Sequence, residues 1–359
     1  MKSTFLKNTL FTLTAIAGLT QTAFAGNEIA KTQQNQTVYT VMTEGKIYSE
    51  AHRKSLSKNM QSTRYQNGDI TMAANIYFPE NFDKSKKYPA IIVGHPGGGV
   101  KEQASGLYAK MLAEKGFVAI AFDASHQGES GGYPRLLEDP EKRIGDFHAT
   151  VDYLTTLPYV DSDKIGMLGI CASGGYTVAA TTKDPRIKAL ATVSAFVRHN
   201  TAWDGTPMTD EQKQAFLKQV NDQRTAEANG APLKYTDVLL PVTKDTPKDL
   251  ADAYEYYLGE RGYYPTAQNK FLFSGLSKAM NFDALNGTDT LLTQPLLVIA
   301  GDEADSRWQS ELVYETAKSA KEKELFIIKG ANHMTMYDSI PHVSQAIDKM
   351  DGFFKANLK

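Results

Sequence analysis

The apolar positions fall into short unbroken runs separated by amphipathic stretches. Ser62–Tyr65 and Ile70–Phe78 predict a β-hairpin turning at Asn67-Gly68. The runs at Lys87–His95, Phe117–Phe122, Ile165–Leu168, Ile187–Ser194, Gln294–Gly301 and Lys323–Ile328 do not alternate with polar residues, as expected of strands covered on both faces. Helical periodicity lies between them, at Ala104–Lys115, Arg143–Leu157, an alanine-rich stretch after residue 171, Gln309–Lys321, and a closing segment from Val343. Strands alternating with helices predict an α/β fold, a mostly parallel sheet with helices on both faces.

Residues 196–292 depart from this rhythm. Charged helical segments (Thr209–Ala228 and Pro247–Leu258) alternate with aromatic loops such as Glu260–Pro265, and no buried strand is predicted. The stretch reads as a helical cap inserted above the carboxyl ends of the strands, where ligands bind in open α/β sheets. The expected partition is a core over 61–195, the cap over 196–292, and a second part of the core over 293–359. An N-terminal arm over 26–60 precedes them.

Residues 1–25 carry Lys2 and Lys7, a short apolar stretch interrupted by threonines, and Ala23-Phe24-Ala25. That order predicts a secretory signal peptide cleaved after Ala25 and a periplasmic or secreted protein. No later stretch approaches a membrane-spanning run, so no membrane association is expected after cleavage. The net charge of −2, with both signs interspersed, gives no electrostatic case for nucleic acid. The single cysteine, Cys171, can form no internal disulfide, so in an exported chain it is an unpaired thiol.

Cys171 stands at an informative place. The apolar run from Ile165 leads into Gly169-Ile-Cys171-Ala-Ser173-Gly-Gly175 and then into the alanine-rich helix. This is the strand, sharp turn and helix of a nucleophile elbow, with small residues two before and two after the nucleophile. Two registers fit. Cys171 is flanked by Gly169 and Ser173, and Ser173 is flanked by Cys171 and Gly175. A nucleophile needs a base, an orienter and an oxyanion hole. Of seven histidines, His333 alone follows the last strand in the required chain order; His95 belongs to the oxyanion region, and His126 to a loop able to line a pocket. Asp302, Glu303 and Asp305 follow the strand ending at Gly301, with Asp305 the preferred acid and Asp302 the alternative. Oxyanion N–H groups are expected from Ala172 and from Gly97, in the Gly97-Gly-Gly99 loop. No Gly-Lys-Ser/Thr follows that loop and no His/Cys cluster has metal spacing, so neither nucleotide, metal nor other cofactor is expected.

From about Asn67 to Ala356 the chain resembles the α/β-hydrolase superfamily, and its elbow resembles that of the dienelactone-hydrolase-like branch. The supporting stretches are Gly94-His-Pro-Gly-Gly98, Phe122–Ser130, Ala300–Ser306 and Gly330-Ala-Asn-His-Met334. In that superfamily, counting from the first apolar residue of the strand, Ile165, places the nucleophile at Cys171. The resemblance implies an α/β-hydrolase fold and a Cys-His-Asp triad of Cys171, His333 and Asp305 that opens a lactone through a thioester. A long cap, a signal peptide and serine at position 173 depart from the branch. The expected substrate is a small ester, thioester or lactone, since thiolates attack esters better than amides; the alternatives are a serine esterase using Ser173 and a non-catalytic ligand-binding protein on a hydrolase scaffold, with Cys171 merely buried. The expected thiol needs only a modest further push toward thiolate beyond the few per cent of a free one.

Overall fold

The computed structural model describes residues 59–359. The predicted signal peptide and nearly all of the arm therefore lie outside the described residues. Strands β1 (Met60–Asn67) and β2 (Ile70–Tyr77) form the expected hairpin. Asn67 pairs with Ile70, so the turn is Gly68-Asp69, one residue later than predicted, with Gly68 taking the positive φ of 55°. β3 (Tyr88–Gly94), β4 (Val118–Phe122), β5 (Val160–Ile170) and β6 (Ile187–Val193) follow. The insertion carries β7 (Tyr235–Asp237) and β8 (Lys270–Leu272), a small separate antiparallel pair. β9 (Leu296–Gly301) and β10 (Lys323–Ile328) complete the core.

The eight core strands lie in the order β1-β2-β4-β3-β5-β6-β9-β10, all pairs parallel except β1/β2 and β2/β4. The molecule has an α/β-hydrolase fold. Helices cover both faces, and two glycines of β5 show how closely. A Cβ on Gly166 would lie 2.9 Å from Phe354, on the helix Ile340–Asn357. One on Gly169, of opposite parity, would lie 2.2 Å from the Ser173 carbonyl in the helix Ala172–Thr181. Double coverage explains the unbroken apolar runs: Ile91, Ile92, Val93, Ile120, Leu168 and Val298 are all fully buried.

The insertion enters after β6 and returns to β9, the strand beside it. Its long helix, Asp210–Ala228, starts with a capping box in which Thr209 and Gln212 satisfy each other's backbone N–H groups. That helix buries only Phe216 and Val220, which join Met208, Phe273 and Met280 in a small core of their own. The helix Lys248–Leu258 instead buries Leu250, Ala253, Tyr256 and Tyr257 against the main core.

Candidate active site

β5 delivers Cys171 to the turn before the helix Ala172–Thr181. Its φ of 54° and ψ of −119° lie where a residue bearing a side chain is strained. The turn is held from β6: Cys171 N–H donates to the Val193 carbonyl at 3.0 Å, and the Cys171 carbonyl accepts from Phe196 N–H at 2.8 Å. Gly169 is required because the helix crosses directly over it. Ser173 lies inside the helix and turns away from the elbow. Its fully buried hydroxyl donates to the His95 carbonyl at 2.5 Å and accepts from Arg143 Nη2 at 2.9 Å. The alternative nucleophile is thus placed as a brace between helix and loop. Gly175 is small for a different reason: a Cβ there would lie 2.7 Å from the Phe196 carbonyl.

The backbone N–H groups of Gly97 and Ala172 both reach the Cys171 sulfur, so the two expected oxyanion donors converge on the elbow. The Gly97 loop owes its shape to Gly98, at φ 71°, and to the Gly99 N–H bonded to the Pro96 carbonyl at 3.0 Å. His95 anchors it as a neutral imidazole, bonded to the Pro96 carbonyl at 2.7 Å and accepting from Ala124 N–H at 3.1 Å. Burial first, and then the adjacent Arg143 cation, hold its basicity far below the usual histidine value. His126 does not line the pocket; its ring is tied to the Pro134 carbonyl at 2.8 Å.

His333 is fully buried, on the loop after β10. Its Nδ1 lies 2.6 Å from Ser306 Oγ and its Nε2 lies 3.0 Å from Tyr337 Oη, while the Trp203 ring stands edge-on at 4.7 Å. None of the three predicted carboxylates occupies either nitrogen. Asp305 is exposed, and only its backbone N–H engages the interior, donating to Asp249 Oδ2 at 3.0 Å. Asp302 is exposed and accepts from Gly330 N–H at 2.6 Å, and Glu303 pairs with Lys248. The loop after Gly301 turns so that the residue next to Asp305 faces inward, and the group at the imidazole Nδ1 is the Ser306 hydroxyl.

A carboxylate buried beside the His333 loop comes from the cap. Asp249 accepts from Trp203 Nε1 at 3.3 Å, from Asp305 N–H, and from the backbone N–H of His333. Burial raises it to about 6 in spite of these donors. Burial also pushes His333 down to about 3 and raises the Cys171 thiol. Hydrogen bonds from Tyr337, Ala172 and Gly97, and the Arg143 charge, oppose the rise at Cys171 but do not cancel it. The resting pair is therefore neutral thiol and neutral imidazole, where a modestly activated thiolate had been expected.

A pocket with about 700 Å³ of empty space, solvent at its mouth included, opens over Cys171, Ala172 and Gly97. Its walls are mainly apolar: Phe196, where the insertion begins, and Phe216, Val238, Phe271, Leu276 and Ala279 further along it. His199 also lines it, with Nε2 unpartnered among the described contacts and its basicity lowered by burial to about 4. Among the described residues no cluster of side chains could hold a metal ion, and no helix is long and apolar enough to cross a membrane. Sequence reading missed Ser306, Tyr337, Asp249 and Arg143. Ser306 adjoins the preferred acid and Tyr337 lies one helical turn beyond His333, but the cap residue Asp249 gave no local signal.

The family model for X-Pro dipeptidyl-peptidase (S15 family) matches residues 67–350. The uncharacterized protein YcjY of Escherichia coli strain K12 is 41% identical over 313 residues, covering 84% of this chain and all of that one. The crystal structure of hypothetical protein PA2218 from Pseudomonas aeruginosa superposes with a TM-score of 0.79 at 35% identity, over 84% of this chain and 95% of that chain. The α/β hydrolase GrgF from a Penicillium species has the same fold, with a TM-score of 0.70 at 21% identity over 83% and 99% of the two chains.

Proposed function

This chain belongs to the X-Pro dipeptidyl-peptidase (S15) family, and from that premise we propose a hydrolase that works through a cysteine at the elbow of a serine-hydrolase scaffold. Its substrate is a small carboxylic ester, thioester or lactone with an apolar acyl part. The observation that carries the reading is that the one strained elbow residue, Cys171, lies under two converging backbone N–H groups at the floor of an apolar pocket. Cys171 Sγ attacks the carbonyl carbon while the oxygen gathers charge against the N–H groups of Gly97 and Ala172. The thiol proton passes to His333 and then to the leaving oxygen, or to the leaving sulfur of a thioester, as the bond from that atom to the carbonyl carbon breaks. Water then attacks the thioester; its proton returns through His333 to the sulfur, and the acid leaves.

A neutral pair in a buried site suits this sequence. No charge need be held at rest, and the charge that forms appears beside donors already in place. Ser306 holds the imidazole where the branch resembled at the elbow would use Asp305. The dienelactone-like chemistry is carried over with that change. Amide cleavage after proline is the second reading, favoured by the family itself; ester cleavage is preferred because the nucleophile is a thiol. Export to the periplasm or beyond, through cleavage after Ala25, belongs to the same proposal and rests on the N-terminal sequence alone.

The test is hydrolysis of a short-chain aryl ester and of an X-Pro anilide by wild type, Cys171→Ala and Ser173→Ala. Ester turnover should fall by about a thousandfold or more in the cysteine variant with the fold unchanged. Undiminished turnover by Cys171→Ala, or cleavage of the anilide alone, would contradict the proposal.

A further inference from the structure

Among the described residues Tyr337 has a hydroxyl in contact with both reacting partners. Its Oη lies 3.0 Å from His333 Nε2 and is hydrogen bonded to the Cys171 thiol. Among the described contacts no direct bond joins the thiol and the imidazole: Nε2 faces Tyr337 and Nδ1 faces Ser306 at 2.6 Å.

The hydroxyl is fixed in place. Tyr337 is buried, in the short helix Thr335–Asp338. Tyr108 Oη donates to the neighbouring Met336 carbonyl at 2.7 Å, and Asp338 is clamped by Arg261 at 2.5 and 2.8 Å. Tyr256 and Tyr257 of the cap stand edge-on to its ring at 5.4 and 6.5 Å, and Tyr257 also hydrogen bonds to its hydroxyl. A tyrosine kept only to fill the core needs one partner for its hydroxyl. This one has three, and two of them are the groups between which a proton must travel.

We propose that Tyr337 is a catalytic residue that carries the proton between Cys171 and His333, an inference that rests on Cys171 being the nucleophile. As Sγ bonds to the substrate carbonyl carbon, the S–H bond breaks and its proton passes to Tyr337 Oη. The tyrosine's own proton passes to His333 Nε2. Tyr337 is neutral before and after, and the products are a tetrahedral oxyanion and an imidazolium whose Nδ1–H is held by Ser306. The reverse shift returns a proton to sulfur when the thioester is hydrolysed. Burial keeps the phenol protonated, so it serves as a conduit and not as a base. The ionisable groups facing it are Cys171 and His333 from the core and Tyr256 and Tyr257 from the cap. Asp338, on its own turn, is committed to Arg261, and Arg143 acts on the sulfur from behind the elbow.

The experiment compares wild type, Tyr337→Phe, His333→Ala and the double variant in ester turnover and in alkylation of the thiol by iodoacetamide as a function of pH. Tyr337→Phe should lower kcat by about 100-fold with KM changed by less than about twofold. It should move the alkylation profile upward by about one pH unit, because the Tyr337 hydrogen bond favours the thiolate; His333→Ala should lower kcat at least as far, and the double variant should add nothing to that loss. Turnover and profile superposing on wild type would overturn the relay. A proton inventory of acylation in mixed light and heavy water gives the answer on wild type alone, should the variant fail to fold. A curved inventory, with two protons in flight, is expected, and a linear one would contradict the proposal. Cys171→Ala separates the two claims: if it still hydrolyses ester, it is the nucleophile assignment that falls.

Discussion

At the scale of single residues, the site is governed by desolvation more than by charge pairing. His333, held down to about 3, remains neutral at every higher pH. The kcat/KM profile should therefore lack the acid limb near an ordinary histidine value, staying level from pH 7 down to about 5; a limb centred near 6.5 would show that the imidazole is solvated in the working enzyme. Ser306 supplies one neutral hydrogen bond to that ring. Ser306→Ala should cost about 1 kcal/mol of orientation and lower kcat roughly fivefold, measured against unchanged folding by circular dichroism. Side-chain direction is what the sequence could not supply here. Counting residues past Gly301 leads to the loop that touches His333, but whether Asp305 or Ser306 faces inward depends on how that loop turns.

Among the elements, the elbow was the most legible because its constraint is steric and local. A small residue two positions before Cys171 is needed for strand and helix to cross, and a Cβ at Gly169 would lie 2.2 Å from the Ser173 carbonyl. Gly169→Ala should destabilise the fold by about 3 kcal/mol or more, seen as a lowered Tm or loss of soluble protein. The buried core strands were legible for the same kind of reason, while the three-residue strands β7 and β8 are too short and too exposed to leave a pattern. The contact of cap with core through Asp249 was invisible, since 56 residues separate it from Asp305. Burial raises Asp249 from 3.8 to about 6, so the folded state favours its protonated form. Its contribution to stability is fully present below about pH 4 and is lost as pH rises through about 6. Over that interval the Tm of Asp249→Asn should fall less than that of wild type; parallel curves would show that Asp249 ionises as freely folded as unfolded.

On the scale of the molecule, the division of labour follows the topology. The parallel sheet supplies the elbow, the oxyanion loop and the histidine loop at the carboxyl ends of β5, β3 and β10, and the insertion after β6 supplies the apolar wall above them. That arrangement was readable from the order of apolar runs, because a buried parallel sheet leaves a continuous signal. What the family adds is a scaffold of serine hydrolases, on which this chain carries cysteine at the elbow and serine two residues beyond, under the neighbouring loop. The most direct test is to quench the enzyme during turnover of an activated aryl ester and to sequence the tryptic peptide Ile165–Lys183 by fragmentation mass spectrometry. The account predicts an acyl group on Cys171, labile to hydroxylamine and absent from Cys171→Ala. An acyl group on Ser173, or full turnover with Cys171 unmodified, would contradict it.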